Sequence, residues 1–162
     1  MTTALAAPLA IHHVSVSVPD LNAALDWYAR VLGFELEHRF EVPAIPARAA
    51  FMCRGAMRLE LWQVGDDGAR VPEQRREPHD DLRQGGTKHA AFLVSDLQAC
   101  LERLANQGID IAAVQRAPTL PMRAEADPGD QSAGPAFAAF IRDPAGTLIE
   151  LLDAARAGTA GS

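Results

Sequence analysis

The chain has 162 residues, 48% of them hydrophobic, with a formal charge of −6 and a pI near 5.3. That length allows one domain, or two small modules sharing a core, and the acidic balance argues against nucleic acid or an anionic membrane surface as partner. No apolar run approaches the roughly 20 residues of a spanning helix. The first ten residues lack the basic start of a secretion signal, and Cys53 and Cys100 lie far apart with no CxxC spacing. The expectation is a reduced, cytoplasmic protein in which both cysteines pack, acting on a small molecule.

In chain order, Ile11–Val18 alternates as a strand, with Val14, Val16 and Val18 on one face and His13, Ser15 and Ser17 on the other. His12 falls among the valines and reads as structural or exposed, not as a ligand. Asp20 is an N-cap signal, and Leu21, Ala24, Leu25, Tyr28, Val31 and Leu32 recur at helical spacing up to Gly33; Tyr28 reads as core. Three strands are expected at Phe34–Glu41, Arg48–Arg54 and Met57–Val64. In the last, Leu59 and Leu61 are apolar, while Arg58, Glu60 and Trp62 look the other way. Arg58 reads either as a structural ion pair or as an anchor for a substrate carboxylate or phosphate, and Trp62 as a pocket wall or a space-filling aromatic. His38 and His79 read as solvated.

Residues 66–86 form a polar linker without an apolar period, after which the pattern returns. His89 opens a strand over Lys88–Val94, Asp96 caps a helix carrying Leu97, Cys100, Leu101 and Leu104, and Gly108 ends it. Strands follow at Ile109–Val114, Ala136–Ile141 and Thr147–Leu152. The halves superpose at an offset of 76, placing His13 on His89, Asp20 on Asp96 and Leu25 on Leu101. Each half reads βαβββ and ends on a glutamate. Glu60 follows His13 by 47 positions and Glu150 follows His89 by 61, and the 14 extra residues fall in Gln115–Pro135, a loop long enough to act as a lid. The predicted architecture is α+β, a single domain over 11–153 made of modules 11–65 and 87–153, with flexible termini at 1–10 and 154–162.

His13, Glu60, His89 and Glu150 each interrupt an apolar strand on one side. Such groups are costly to bury unpartnered, and two imidazoles with two carboxylates around a divalent ion give a neutral, fairly hard site that suits Zn²⁺, Ni²⁺, Co²⁺, Mn²⁺ or Fe²⁺. Absence of thiolates argues against a closed structural zinc site. Such a metal can polarise a carbonyl while a carboxylate takes the neighbouring proton.

The stretches His12–Leu21, Trp27–Glu35, Gly86–His89 and Asp143–Glu150 resemble the vicinal-oxygen-chelate superfamily, which includes glyoxalase I, methylmalonyl-CoA epimerase, extradiol dioxygenases and fosfomycin and bleomycin resistance proteins. The resemblance implies two βαβββ modules curled into a mixed-sheet cleft. It implies a metal held, as in glyoxalase I, by His13, Glu60, His89 and Glu150, with Glu150 as base and Glu60 as its counterpart. It also implies pairing of modules within a chain or across a dimer, and a homodimer is expected. The resemblance leaves two alternatives open: an iron(II) dioxygenase using His13, His89 and Glu150, and a resistance-type binding protein without turnover. Glyoxalase I holds glutathione through an Arg four residues after its first ligand and an Asn four after its second. These positions are Ser17 and Val64 here, a departure that speaks against glutathione as co-substrate. Methylmalonyl-CoA epimerase usually has Gln at the position of Glu60, which weakens that reading too.

Overall fold

A computed structural model describes residues 10–125, 127–128, 132 and 134–158. Two four-stranded mixed sheets carry the chain. Strand β1 (Val14–Ser17) leads into helix α1 (Leu21–Leu32), then β2 (Glu35–Val42), β3 (Ala47–Arg54) and β4 (Met57–Val64), in the sheet order β1-β4-β3-β2. The second half repeats this with β5 (Ala90–Val94), α3 (Leu97–Asn106), β6 (Ile111–Gln115), β7 (Ala138–Arg142) and β8 (Leu148–Asp153), in the order β5-β8-β7-β6. In both sheets the first strand pairs in parallel with the last and the remaining pairs are antiparallel. Neither sheet closes into a barrel.

The helices start and stop as their sequences require. The Asp20 and Asp96 side chains accept from the amides of Ala23 and Ala99, satisfying otherwise orphaned N–H groups. Gly33 turns left-handed (φ 67°) and returns its amide to Ala29 and Tyr28. Replacing Asp20 by Ala should lower stability by about 1 kcal/mol, measured by urea unfolding. The buried stripe of α1 joins that of α3 in one core, with Leu21, Tyr28, Leu61, Leu101, Ile141 and Leu151 among its members. The modules are further tied by the Tyr28 hydroxyl, which donates to Asp143 Oδ2 at 2.9 Å. Asp143 Oδ1 accepts in turn from the amides of Ala145 and Thr147.

Several elements depart from the sequence reading. The regular strands begin at Val14 and Ala90, so His13 and His89 stand one residue ahead of β1 and β5 rather than mid-strand. Val14 is 38% exposed, because β1 is an edge strand. The linker contains a 3₁₀ turn (Glu73–Arg75) and a short helix α2 (Pro78–Asp81), pinned where the buried Asp81 carboxylate meets Arg75 at 2.7 Å. In the 116–135 loop, buried Arg116 binds Glu125, Gln98 and the carbonyls of Pro128 and Gly134, so its described part is held down. The expected flexible tail opens with helix α4 (Ala154–Ala157), capped by Asp153; residues 1–9 and 159–162 lie outside the described residues. No described helix is long and apolar enough to cross a membrane.

Candidate functional site

Alternation along β4 buries Leu59, Leu61 and Gln63 against α1's side of the sheet and turns Arg58, Glu60 and Trp62 to the open side. Parallel pairing sets Ser15 beside Glu60, which brings the residue before β1 within reach: His13 Nε2 lies 3.3 Å from Glu60 Oε2. On the other flank Phe51 of β3 stands directly opposite Glu60 and meets the His13 ring edge-on at 5.3 Å. Phe40, stacked on Phe51 and edge-on to Trp62, and His38 extend this aromatic wall.

The second module repeats the arrangement. His89 Nε2 lies 3.1 Å from Glu150 Oε2, Phe140 pairs opposite Glu150, and its ring meets His89 edge-on at 4.8 Å. Here the surroundings are aliphatic: Phe140 packs with Ala112, Leu148 and Met122, the last contributed by the long loop. A cavity of about 350 Å³ opens between the modules beside His89, between β1 and β5, lined also by Tyr28 and Lys88.

The family comparison agrees with this geometry. The model of the Glyoxalase/Bleomycin resistance protein/Dioxygenase superfamily matches residues 10–151. The chain belongs to this superfamily. Among curated proteins it is similar to a 2-epi-5-epi-valiolone epimerase from an Actinomyces species, 32% identical over 114 residues. That match spans 61% of this chain and 59% of the relative's length. Among solved structures, the trypanothione-dependent glyoxalase I of Leishmania major superposes with a TM-score of 0.66 at 19% identity, covering 94% of this chain and 91% of that one. A glyoxalase family protein from Enterococcus faecalis gives 0.62 at 24% identity, covering 89% and 97%. The fosfomycin resistance protein FosX of Listeria monocytogenes gives 0.56 at 12%, covering 92% and 93%. These likenesses establish a shared fold.

Within one chain of this superfamily member, the four expected ligands stand as two His–Glu pairs, one on each sheet. Among the described residues no three His, Cys, Asp or Glu side chains gather as a metal site. Each pair nevertheless has metal-ligand spacing. Donors about 2.0–2.2 Å from a common ion sit about 3.0–3.4 Å apart when adjacent, the range of the 3.3 and 3.1 Å separations. The residues therefore fit a divalent cation as two bidentate half-sites. Arg58 pairs with Glu37 at 2.5 Å rather than with Glu60, and Trp62 is half-buried against Phe40. His12 differs from expectation. Its ring lies on the same side as His13, with the two Nδ1 atoms 2.7 Å apart, because the pleat that would turn it away begins only at Val14. Phe51 and Phe140 escaped the sequence reading: they are 89 positions apart, not 76, and only the strand register reveals their equivalence.

Proposed function

We propose that the protein is a divalent-metal-dependent isomerase or lyase of the glyoxalase type, moving a proton on the carbon next to a substrate carbonyl. The observation that carries this reading is the matched pair of half-sites, each presenting an imidazole and a carboxylate at metal-ligand spacing. His13, Glu60, His89 and Glu150 would hold the ion, with Zn²⁺, Ni²⁺, Co²⁺, Mn²⁺ or Fe²⁺ as candidates. When bound, such a cation supplies a Lewis acid that polarises the carbonyl and stabilises developing negative charge.

Two half-sites that do not meet within one chain need a second copy, so the complete centre is proposed to form in a homodimer, His13 and Glu60 of one protomer facing His89 and Glu150 of its partner. Glu150 is then the proposed base that takes the proton, and Glu60, on the opposite half-site, the proposed acid that returns one to the other side of the same carbon. Removal from one face and return to the other is an epimerisation. The similarity to an epimerase favours isomerase over lyase. The dioxygenase reading leaves Glu60 without a role, whereas Glu60 and Glu150 occupy equivalent positions in their sheets.

The test is metal content after reconstitution with Zn²⁺, Ni²⁺, Co²⁺ or Fe²⁺, with light scattering alongside. Glu60→Ala and His89→Ala should each lower bound metal about tenfold or more, and the wild type should run as a dimer. Equal metal in wild type and Glu60→Ala points to a three-ligand, dioxygenase-type centre. No metal in any variant leaves a binding protein, and a monomer at micromolar concentration overturns the shared centre.

A further inference from the structure

We propose that Arg58, acting through His12, fixes the tautomer of His13 and so latches one half-site against metal. A guanidinium has donors only. Arg58 Nη1 lies 2.6 Å from His12 Nε2, so that nitrogen must accept. A neutral imidazole carries one proton, which on His12 therefore sits on Nδ1, 2.7 Å from His13 Nδ1. His13 Nδ1 must then accept as well. That leaves the His13 proton on Nε2, the atom facing Glu60 Oε2 at 3.3 Å. The donor direction runs one way, from Arg58 through His12 to His13, and leaves a proton on the nitrogen that faces the carboxylate.

The chain is anchored at its far end. Glu37 holds Arg58 Nη2 at 2.5 Å, and Phe51 lies 5.7 Å under the guanidinium while meeting both imidazoles edge-on. The second module has nothing comparable. Leu148 takes the register position of Arg58, the offset of 76 puts Lys88 where His12 stands, and the Lys88 ammonium donates to the Asp81 and Gln84 carbonyls. Among the described residues the other ring nitrogen of His89 makes no hydrogen bond, so only the Glu150 carboxylate beside Nε2 bears on where His89 carries its proton.

Coordination through Nε2 requires a lone pair there. For His13 the proton must move to Nδ1, the His12 proton must move from Nδ1 to Nε2, and Arg58 must let go of His12. No proton is gained or lost, but the Arg58–His12 hydrogen bond breaks. The His89–Glu150 half-site needs only a proton shift within His89, while the His13–Glu60 half-site opens only with Arg58. Arg58 and His12 are positioning residues. The tautomer assignment stands on hydrogen bonding alone; its consequence for metal rests on the reading under Proposed function.

Long-range ¹H–¹⁵N NMR on metal-free, ¹⁵N-histidine-labelled protein reads the tautomer directly, and Zn²⁺ competition titration reads affinity. In wild type and in Arg58→Lys, which keeps a donor-only group, His13 should be the Nε2–H tautomer. Arg58→Gln can accept as well as donate, and His12→Ala removes the relay; both should populate Nδ1–H on His13 and bind Zn²⁺ about tenfold tighter, the lower end of effects from groups behind a ligand. An Nδ1–H tautomer in wild type overturns the proposal, as do Lys and Gln variants alike in both readouts. If wild type binds no Zn²⁺ the metal reading falls, and the NMR arm alone decides the tautomer.

Discussion

Glu150→Gln is expected to lower solvent-deuterium incorporation next to the substrate carbonyl by about 10³-fold, since a positioned general base contributes about 10²–10⁴. The amide keeps the shape of the carboxylate but not its basicity, and as a weaker ligand it should also reduce metal content. The measurement is proton NMR in D₂O on a panel of small carbonyl compounds with a C–H next to the carbonyl, with dimer and fold checked in parallel. Ser15→Ala, whose exposed side chain sits beside Glu60 in the β1–β4 register without belonging to either pair, should change neither exchange nor metal. Full exchange in a Glu150→Gln protein would remove Glu150 from the role of base.

The largest effect on stability is expected at Asp143, whose carboxylate is 5% exposed and serves three donors at once: the Tyr28 hydroxyl and the amides of Ala145 and Thr147. Asp143→Ala leaves these groups unsatisfied in a dry environment, at about 3–5 kcal/mol in sum. Asp143→Asn retains an acceptor and should cost less. Burial pushes the Asp143 carboxyl above its ordinary range, against hydrogen bonds from Thr147, Tyr28 and Ala145 that pull it down. The folded state therefore binds this proton more tightly than the unfolded chain. Between the ordinary carboxylate pKa and the raised one, stability falls as pH rises, and Asn at this position should remove that slope. Urea midpoints between pH 3.5 and 7 for wild type and Asp143→Asn check the sign. A wild-type slope from this residue in the opposite direction would mean that the hydrogen bonds outweigh desolvation.

What was legible in the sequence followed from periodicity. Alternation placed Leu59 and Leu61 inward and Glu60 outward, the offset of 76 matched His13 to His89 and Asp20 to Asp96, and both caps formed as read. What was not legible depends on contacts between distant residues or on breaks in regularity. Tyr28 and Asp143 are 115 positions apart, and nothing local in either segment announces the other. His12 was assigned to the wrong side because alternation was extended three residues past the start of β1. Arg58 was read as an ion pair or a substrate anchor without a named partner; its partners, Glu37 and His12, come from β2 and from the chain before β1. The metal set was read with the pairing of modules left open, within a chain or across a dimer; in one chain its residues stand as two His–Glu pairs, each on its own sheet.

The parallel pairing of β1 with β4 and of β5 with β8 bears on how the chain acquires its chemistry during synthesis. Each imidazole is delivered by the residue just ahead of a module's opening strand and each carboxylate by the closing strand, 47 and 61 positions later. Closing loops of that span is a late, entropically opposed event, so neither pair exists on a nascent chain until the whole module has emerged and its ends have met. A cation held by these residues, as proposed, would then not nucleate folding by clipping neighbouring residues together, as it does in short metal-dependent modules. Under the proposed reading it would meet each pair only after that module's topology is complete.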